Sequence, residues 1–88
     1  MPIPRRAKRD ANEAEIIRTL RAVGALVESL SIPNVPDLLV QYRGRLYLME
    51  VKTTTGKLRP GQVEFQQIWQ SSVVRSAEDA LKAIGAME

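Results

Sequence analysis

The sequence predicts an α/β fold in which helices flank a mixed central sheet. Three observations lead there. Apolar residues recur at three- and four-residue steps near the start, past the middle and at the end of the chain. Between these stretches lie short apolar runs with strand-like alternation, bounded by Gly, Pro and Asn. The last run–helix–run succession is a β–α–β unit, whose two strands should pair in parallel. The 88 residues suit one small domain. A chain of that size buries only roughly 60–65% of its unfolded surface, so its core is thin and dimerisation would help it.

Residues 1–9 hold two prolines and four cations, Arg5, Arg6, Lys8 and Arg9, and read as a basic flexible arm. Residues 10–88 read as the domain. Asp10 is placed to cap a first helix whose stripe is Ile16, Ile17, Leu20 and Val23 and which Gly24 closes. Residues 25–30 form a short apolar strand, and residues 31–36, with two prolines and Asn34, a loop. Residues 37–42 and 45–52 read as strands joined by a tight turn at Gly44. A polar loop over 53–59 leads to Pro60, well suited to the first position of a helix running to about residue 70. Val63, Phe65, Ile68 and Trp69 supply its apolar side. Residues 72–75 form a last strand. Ser76 caps a final helix with Asp79 as capping-box partner, Ala80, Leu81 and Ile84 as its buried stripe, and Gly85 at its end.

Composition removes several kinds of chemistry. The chain has no cysteine, hence no disulfide and no thiolate site. It has no histidine, which excludes Ser-His-Asp triads, His-ligated metals and His general bases. Polar catalysis must come from Asp, Glu, Lys, Tyr or a carboxylate-bound metal, and hard oxygen donors suit Mg²⁺ or Mn²⁺. No apolar run approaches the ~20 residues that span a bilayer. The basic start lacks the apolar run of a secretory signal, so the expected location is cytoplasmic. The net charge of +3 is modest, but the four cations of the arm concentrate it. Such an arm either favours polyanions such as nucleic acid or is simply a solvated tail.

The stretch VPDLLVQYRGRLYLMEVKTTTGK, residues 35–57, places Asp37, Glu50 and Lys52 at the ends of two apolar strands. Charges there are costly unless paired or used. Both faces of the second strand are largely apolar, so it should be central and covered on both sides. If the turn is Arg43-Gly44, Asp37 lies directly opposite Glu50. Like charges so placed need a cation between them, and a divalent ion would suit. If the turn is Gly44-Arg45, Asp37 faces Lys52 in a plain ion pair. Either register keeps the three charges on one face, and Arg at positive φ is the weaker turn chemistry. Glu13 opens the buried stripe of the first helix. It either belongs to a site or completes a capping box with Asp10. Gln62 opens the second long helix on the side of Phe65 and Trp69. It either orients a phosphate or lysine or satisfies free backbone groups.

These residues, in this order, resemble the PD-(D/E)XK nuclease superfamily and more closely its VRR-NUC domain, the virus-type replication-repair nuclease module common in phages. The stretches RDANEAEI, VPDLLV, GRLYLMEVKTTTGKL and PGQ carry the likeness, and VVRSAEDALKAIG extends it more loosely, so that it covers nearly all of the chain from Asp10. The resemblance implies a restriction-endonuclease-like αβββαβ(α) core and Mg²⁺- or Mn²⁺-dependent cleavage of DNA. It implies that Asp37, Glu50 and the Val51 carbonyl hold the metal. Glu13 would bind a second ion or orient water, Lys52 would position the attacking water and stabilise charge, and Gln62 would support them. It also implies a stand-alone homodimer acting on branched DNA such as four-way junctions, in a bacterial or phage-infected cell. Two departures stand out. The segment 69–75 is shorter than its counterpart in the family, and Arg59 stands where a Ser or Thr cap would precede Pro60. Arg59 and Lys57, with the arm, would then meet the DNA backbone. The alternative is a catalytically silent nucleic-acid-binding module using the arm, Arg43, Arg45, Lys57 and Arg59. A third reading is a small dimeric interaction protein whose ion pair only stabilises the hairpin.

Overall fold

A computed structural model describes residues 10–88, and the basic arm, with Arg5, Arg6, Lys8 and Arg9, lies outside them. The elements follow the expected order: α1 (Glu13–Ala22), β1 (Leu26–Ser29), β2 (Leu38–Tyr42), β3 (Arg45–Val51), α2 (Pro60–Ile68), β4 (Ser72–Val74) and α3 (Ala77–Ala83). The strands form one sheet in the order β1-β2-β3-β4. β2 runs antiparallel to both β1 and β3, and β4 joins β3 in parallel, as the β–α–β spacing requires.

Alternation along the strands decides where the core lies. Val27, Val40, Leu38, Met49, Val51 and Val74 occupy one face by register, and all are buried. Ile16 and Leu20 of α1 and Ala80 and Ile84 of α3 complete that core, and the two helices pack on each other. Ile17 is only partly buried, Leu81 is half-buried and Val23 is exposed, so the two helix stripes are narrower than their periodicity suggests.

The opposite sheet face differs from expectation. Leu26 and Leu46 are 66% and 67% exposed there, so β3 is covered on one side along its first half and on both sides only near its C-terminal end. α2 differs too. It ends at Ile68, with Trp69 extended, and Gln62 is its buried residue. Val63, Ile68 and Trp69 are exposed, and Phe65 and Trp69 stack on each other at 5.6 Å. The helix is seated through Gln62 at its N-terminal end, with Phe65 partly buried beside it.

The hairpin turn selects the register. Arg43 and Gly44 have φ of 51° and 79°, positive at both central positions, which matches the twist of the flanking strands. The Arg43 guanidinium lies 5.1 Å from the Tyr42 ring centre, a cation–π contact that helps hold arginine in this backbone region. Tyr42 therefore pairs with Arg45 and Leu38 with Met49, and the next pair outward is Asp37 with Glu50.

α1 starts later than expected. Asn12, not Asp10, is its N-cap residue, and the Glu13 amide bonds the Asp10 carbonyl in a preceding turn. The Asn12 side chain does not cap its own helix. Its Nδ2 donates to the carbonyls of Lys52 (3.1 Å) and Arg75 (2.9 Å), tying the helix start to the ends of β3 and β4. At α3, Ser76 Oγ accepts from the Asp79 amide as expected, while the Asp79 carboxylate reaches one residue further back, to the Arg75 amide. Among the described residues no helix is long and apolar enough to cross a membrane.

Candidate active site

The C-terminal end of β3 carries the site. Asp37, just ahead of β2, accepts a hydrogen bond from the Val51 amide at 2.9 Å, which fixes its carboxylate beside β3. Glu50 is buried, and its carboxyl hydrogen-bonds that of Asp37. Burial pushes Glu50 up to about 8 from 4.5, and the Asp37 hydrogen bond and charge push the same way. Lys52 and Arg59 pull in the other direction and do not prevail. Near neutral pH the Glu50 carboxyl thus keeps its proton, which relieves the like-charge repulsion that the register creates.

Three neighbours fix Glu50. Lys52 Nζ lies 3.7 Å from Glu50 Oε2, and the Gln62 amide donates to the same oxygen at 3.0 Å. The Gln62 carbonyl oxygen accepts the Arg59 amide at 2.8 Å. One end of Gln62 satisfies a free backbone donor at the start of α2, as one of its two readings expects, and the other end donates to a carboxyl and not to a phosphate or lysine. Arg59 needs no side-chain oxygen as a cap, because the second half of the capping box is present without the first. Lys52 continues the parallel ladder through its amide to the Val74 carbonyl, so its backbone is held on both sides of the chain.

A cavity of about 540 Å³ opens over these groups. Asp37, Glu50, Lys52 and Gln62 form its floor, Lys57 and Arg59 come from the β3–α2 loop, and residues 30–35 line it from the β1–β2 loop. Asp10, assigned only a capping role from the sequence, is also in its lining. Glu13 is buried on the core-facing side of α1 and is not part of that lining. Among the described residues no three His, Cys, Asp or Glu side chains gather around one point, and Asp37 and Glu50 form a pair. The sequence reading missed the roles of Asn12 and Arg75 near the site. Their partners are main-chain carbonyls distant in sequence, and no local pattern announces them.

The chain is similar to a solved structure described as a VRR_NUC domain, with a TM-score of 0.63, 28% identity, and coverage of 85% of this chain and 96% of that one. No family model matches the chain, and no curated protein does. The mixed sheet and this likeness mark a nuclease-like α/β domain. Within that class the chain is recognised as VRR-NUC-like, as its motifs suggested.

Proposed function

We propose that this domain hydrolyses DNA phosphodiester bonds with the help of Mg²⁺ or Mn²⁺, selecting branched DNA such as four-way junctions by shape. The observation that carries this reading is the direct opposition of Asp37 and Glu50, with Lys52 and Gln62 on the same carboxyl, at the floor of a cavity rimmed by cations.

A divalent ion fits these residues. Two opposed carboxyls that must otherwise share a proton are a site where a cation can replace that proton, and an all-oxygen donor set suits Mg²⁺ or Mn²⁺. Asp37, Glu50 and the Val51 carbonyl would hold it. When bound, the ion supplies Lewis acidity at the phosphate. The chain's own groups do the rest. Lys52 offers positive charge to the phosphate and orients the attacking water. Gln62 fixes Glu50, and Lys57 and Arg59 hold the backbone beside the scissile bond. Glu13, buried at the start of α1, would bind a second ion or orient water.

We further propose that the domain acts as a homodimer, since a four-way junction presents two strands for cutting and each copy has one carboxyl pair. Sedimentation at micromolar concentration is expected to give twice the 9.8 kDa of the chain.

The test is cleavage of a labelled four-way junction and a linear duplex of the same sequence, with Mg²⁺, Mn²⁺ or EDTA. The expected result is ion-dependent cutting of the junction that Lys52→Ala abolishes. Equal cutting in EDTA, or by the variant, overturns the assignment. Binding without cutting under every condition supports the silent binding module instead.

A further inference from the structure

The β3–α2 loop, residues 52–59, is the part of the cavity rim that bears Lys57 and Arg59, yet it contains no helix or strand of its own. Its ends are fixed: Lys52 by the β4 ladder and Asn12, and Arg59 by Gln62. Its middle is a tight turn closed by the Gly56 amide on the Thr53 carbonyl. One side chain from elsewhere grips that turn. Arg75 Nη1 donates to the carbonyls of Thr53 and Gly56, both at 2.7 Å, and lies 3.4 Å from that of Thr54.

Arg75 is itself held firmly. Its amide donates to Asp79 and its carbonyl accepts from Asn12, so the base of the side chain cannot drift from the β4–α3 junction. All three contacts come from the one Nη1 nitrogen, which the rigid guanidinium plane holds in place; an ammonium is a point charge on a flexible stem. A loop whose carbonyls converge on a rigid donor has lost its freedom before any ligand arrives. Ordering it on binding would otherwise weaken the complex.

We propose that Arg75 is a positioning residue that holds the basic loop ready, so that Lys57 and Arg59 meet DNA phosphates without prior ordering. The inference rests on the nuclease reading of the cavity but concerns DNA affinity, not the chemical step. Arg75 touches no reacting group and acts only through the loop.

The experiment measures junction affinity of the full chain in EDTA as a function of salt, which separates it from cleavage. Arg75→Ala is expected to weaken binding about tenfold with little change in salt slope, because Lys57 and Arg59 still reach their phosphates once the loop is ordered. Lys57→Ala/Arg59→Ala should weaken binding and lower the slope by about 2, and adding Arg75→Ala to that pair should change nothing further. Arg75→Lys, which keeps the charge but not the planar fork, should behave like Arg75→Ala. Amide exchange at Gly56 should accelerate in both Arg75 variants while the core of α1 stays protected. At saturating DNA with Mg²⁺, kcat should change less than threefold. An Arg75→Ala effect that persists in the Lys57→Ala/Arg59→Ala background would mean that Arg75 contacts DNA itself and would overturn the proposal. Full recovery by lysine, or unchanged affinity with unchanged exchange, would overturn it as well. Absence of cleavage in every variant with this binding pattern intact would sink the nuclease reading and leave the clamp standing.

Discussion

Gln62 donates to Glu50 Oε2 from 3.0 Å while its own carbonyl oxygen holds the Arg59 amide, so one buried side chain joins the start of α2 to the acidic pair. Gln62→Ala removes both bonds at once. A buried group left without its partner costs about 1–3 kcal/mol, which in a domain of this size lowers Tm by roughly 4–8 °C for each kcal/mol. Activity should fall by about 10–100-fold, the usual effect of losing a group that orients a metal ligand, the role proposed for Glu50. Thermal melts and cleavage rates on the same samples check both. A variant with lower Tm and unchanged rate would make Gln62 a helix cap alone.

Glu50 predicts a pH dependence of stability with a definite sign. Its folded value of about 8 lies above the 4.5 of the unfolded chain, so folding favours the protonated carboxyl. The stability it contributes is complete below about pH 4.5 and is lost as pH rises toward 8. Each pH unit in that window costs at most about 1.4 kcal/mol. In EDTA, Tm should therefore fall between pH 5 and 8, and Glu50→Gln should remove that fall. Mn²⁺ should restore Tm most strongly at the alkaline end, where the carboxyl gives up its proton most readily. Melts across this range with and without Mn²⁺ decide the matter; a flat EDTA profile would contradict the assignment.

The opposition of Asp37 and Glu50 depends on a turn far from them. Gly44 has φ of 79°, where a Cβ costs about 1–2 kcal/mol. Gly44→Ala should lose that amount of stability although nothing lies within 4 Å of the added methyl, so the cost is conformational and not steric crowding. Arg43→Asn, with a residue that tolerates positive φ, should be neutral or gain a few tenths of a kcal/mol net of the Tyr42 contact. Denaturant titration of the two variants measures this. Opposite signs are expected, and equal losses would show that the turn does not govern the hairpin.

The sequence made the element order and the acidic site legible for physical reasons that also mark the limits of such reading. Helical and alternating periodicities are local, so every helix and strand was found. Hairpin spacing narrowed Asp37 to two partners, but turn chemistry alone disfavoured the register adopted. What tipped it includes the stacking of Arg43 on Tyr42, a contact that turn preferences do not contain. The start of α1 was misplaced because Asn12 is drawn to the carbonyls of Lys52 and Arg75, 40 and 63 residues away. Val63, Ile68 and Trp69 were grouped as an apolar side of α2, yet periodicity says nothing of whether another element lies opposite them.

Gly61, one residue before Gln62, lies so close to the Asn34 side chain that a methyl on Gly61 would overlap the Asn34 amide. This contact seats the β1–β2 loop on the first turn of α2. Gly61→Ala must displace the end of the exposed Asn34 side chain, costing up to about 1 kcal/mol, and should slow cleavage to the extent that the adjacent Gln62 moves with it. Asn34 has φ of 65°, a conformation that glycine adopts freely. Asn34→Gly should therefore be tolerated, and in combination with Gly61→Ala it should restore most of the lost stability and rate. A cycle of the two single variants and the double variant, read by melts and by cleavage, gives the coupling directly. Additive losses would show that the Asn34–Gly61 approach is incidental. A strong rescue would show that the loop and the helix start are fitted to each other to hold Gln62 against Glu50.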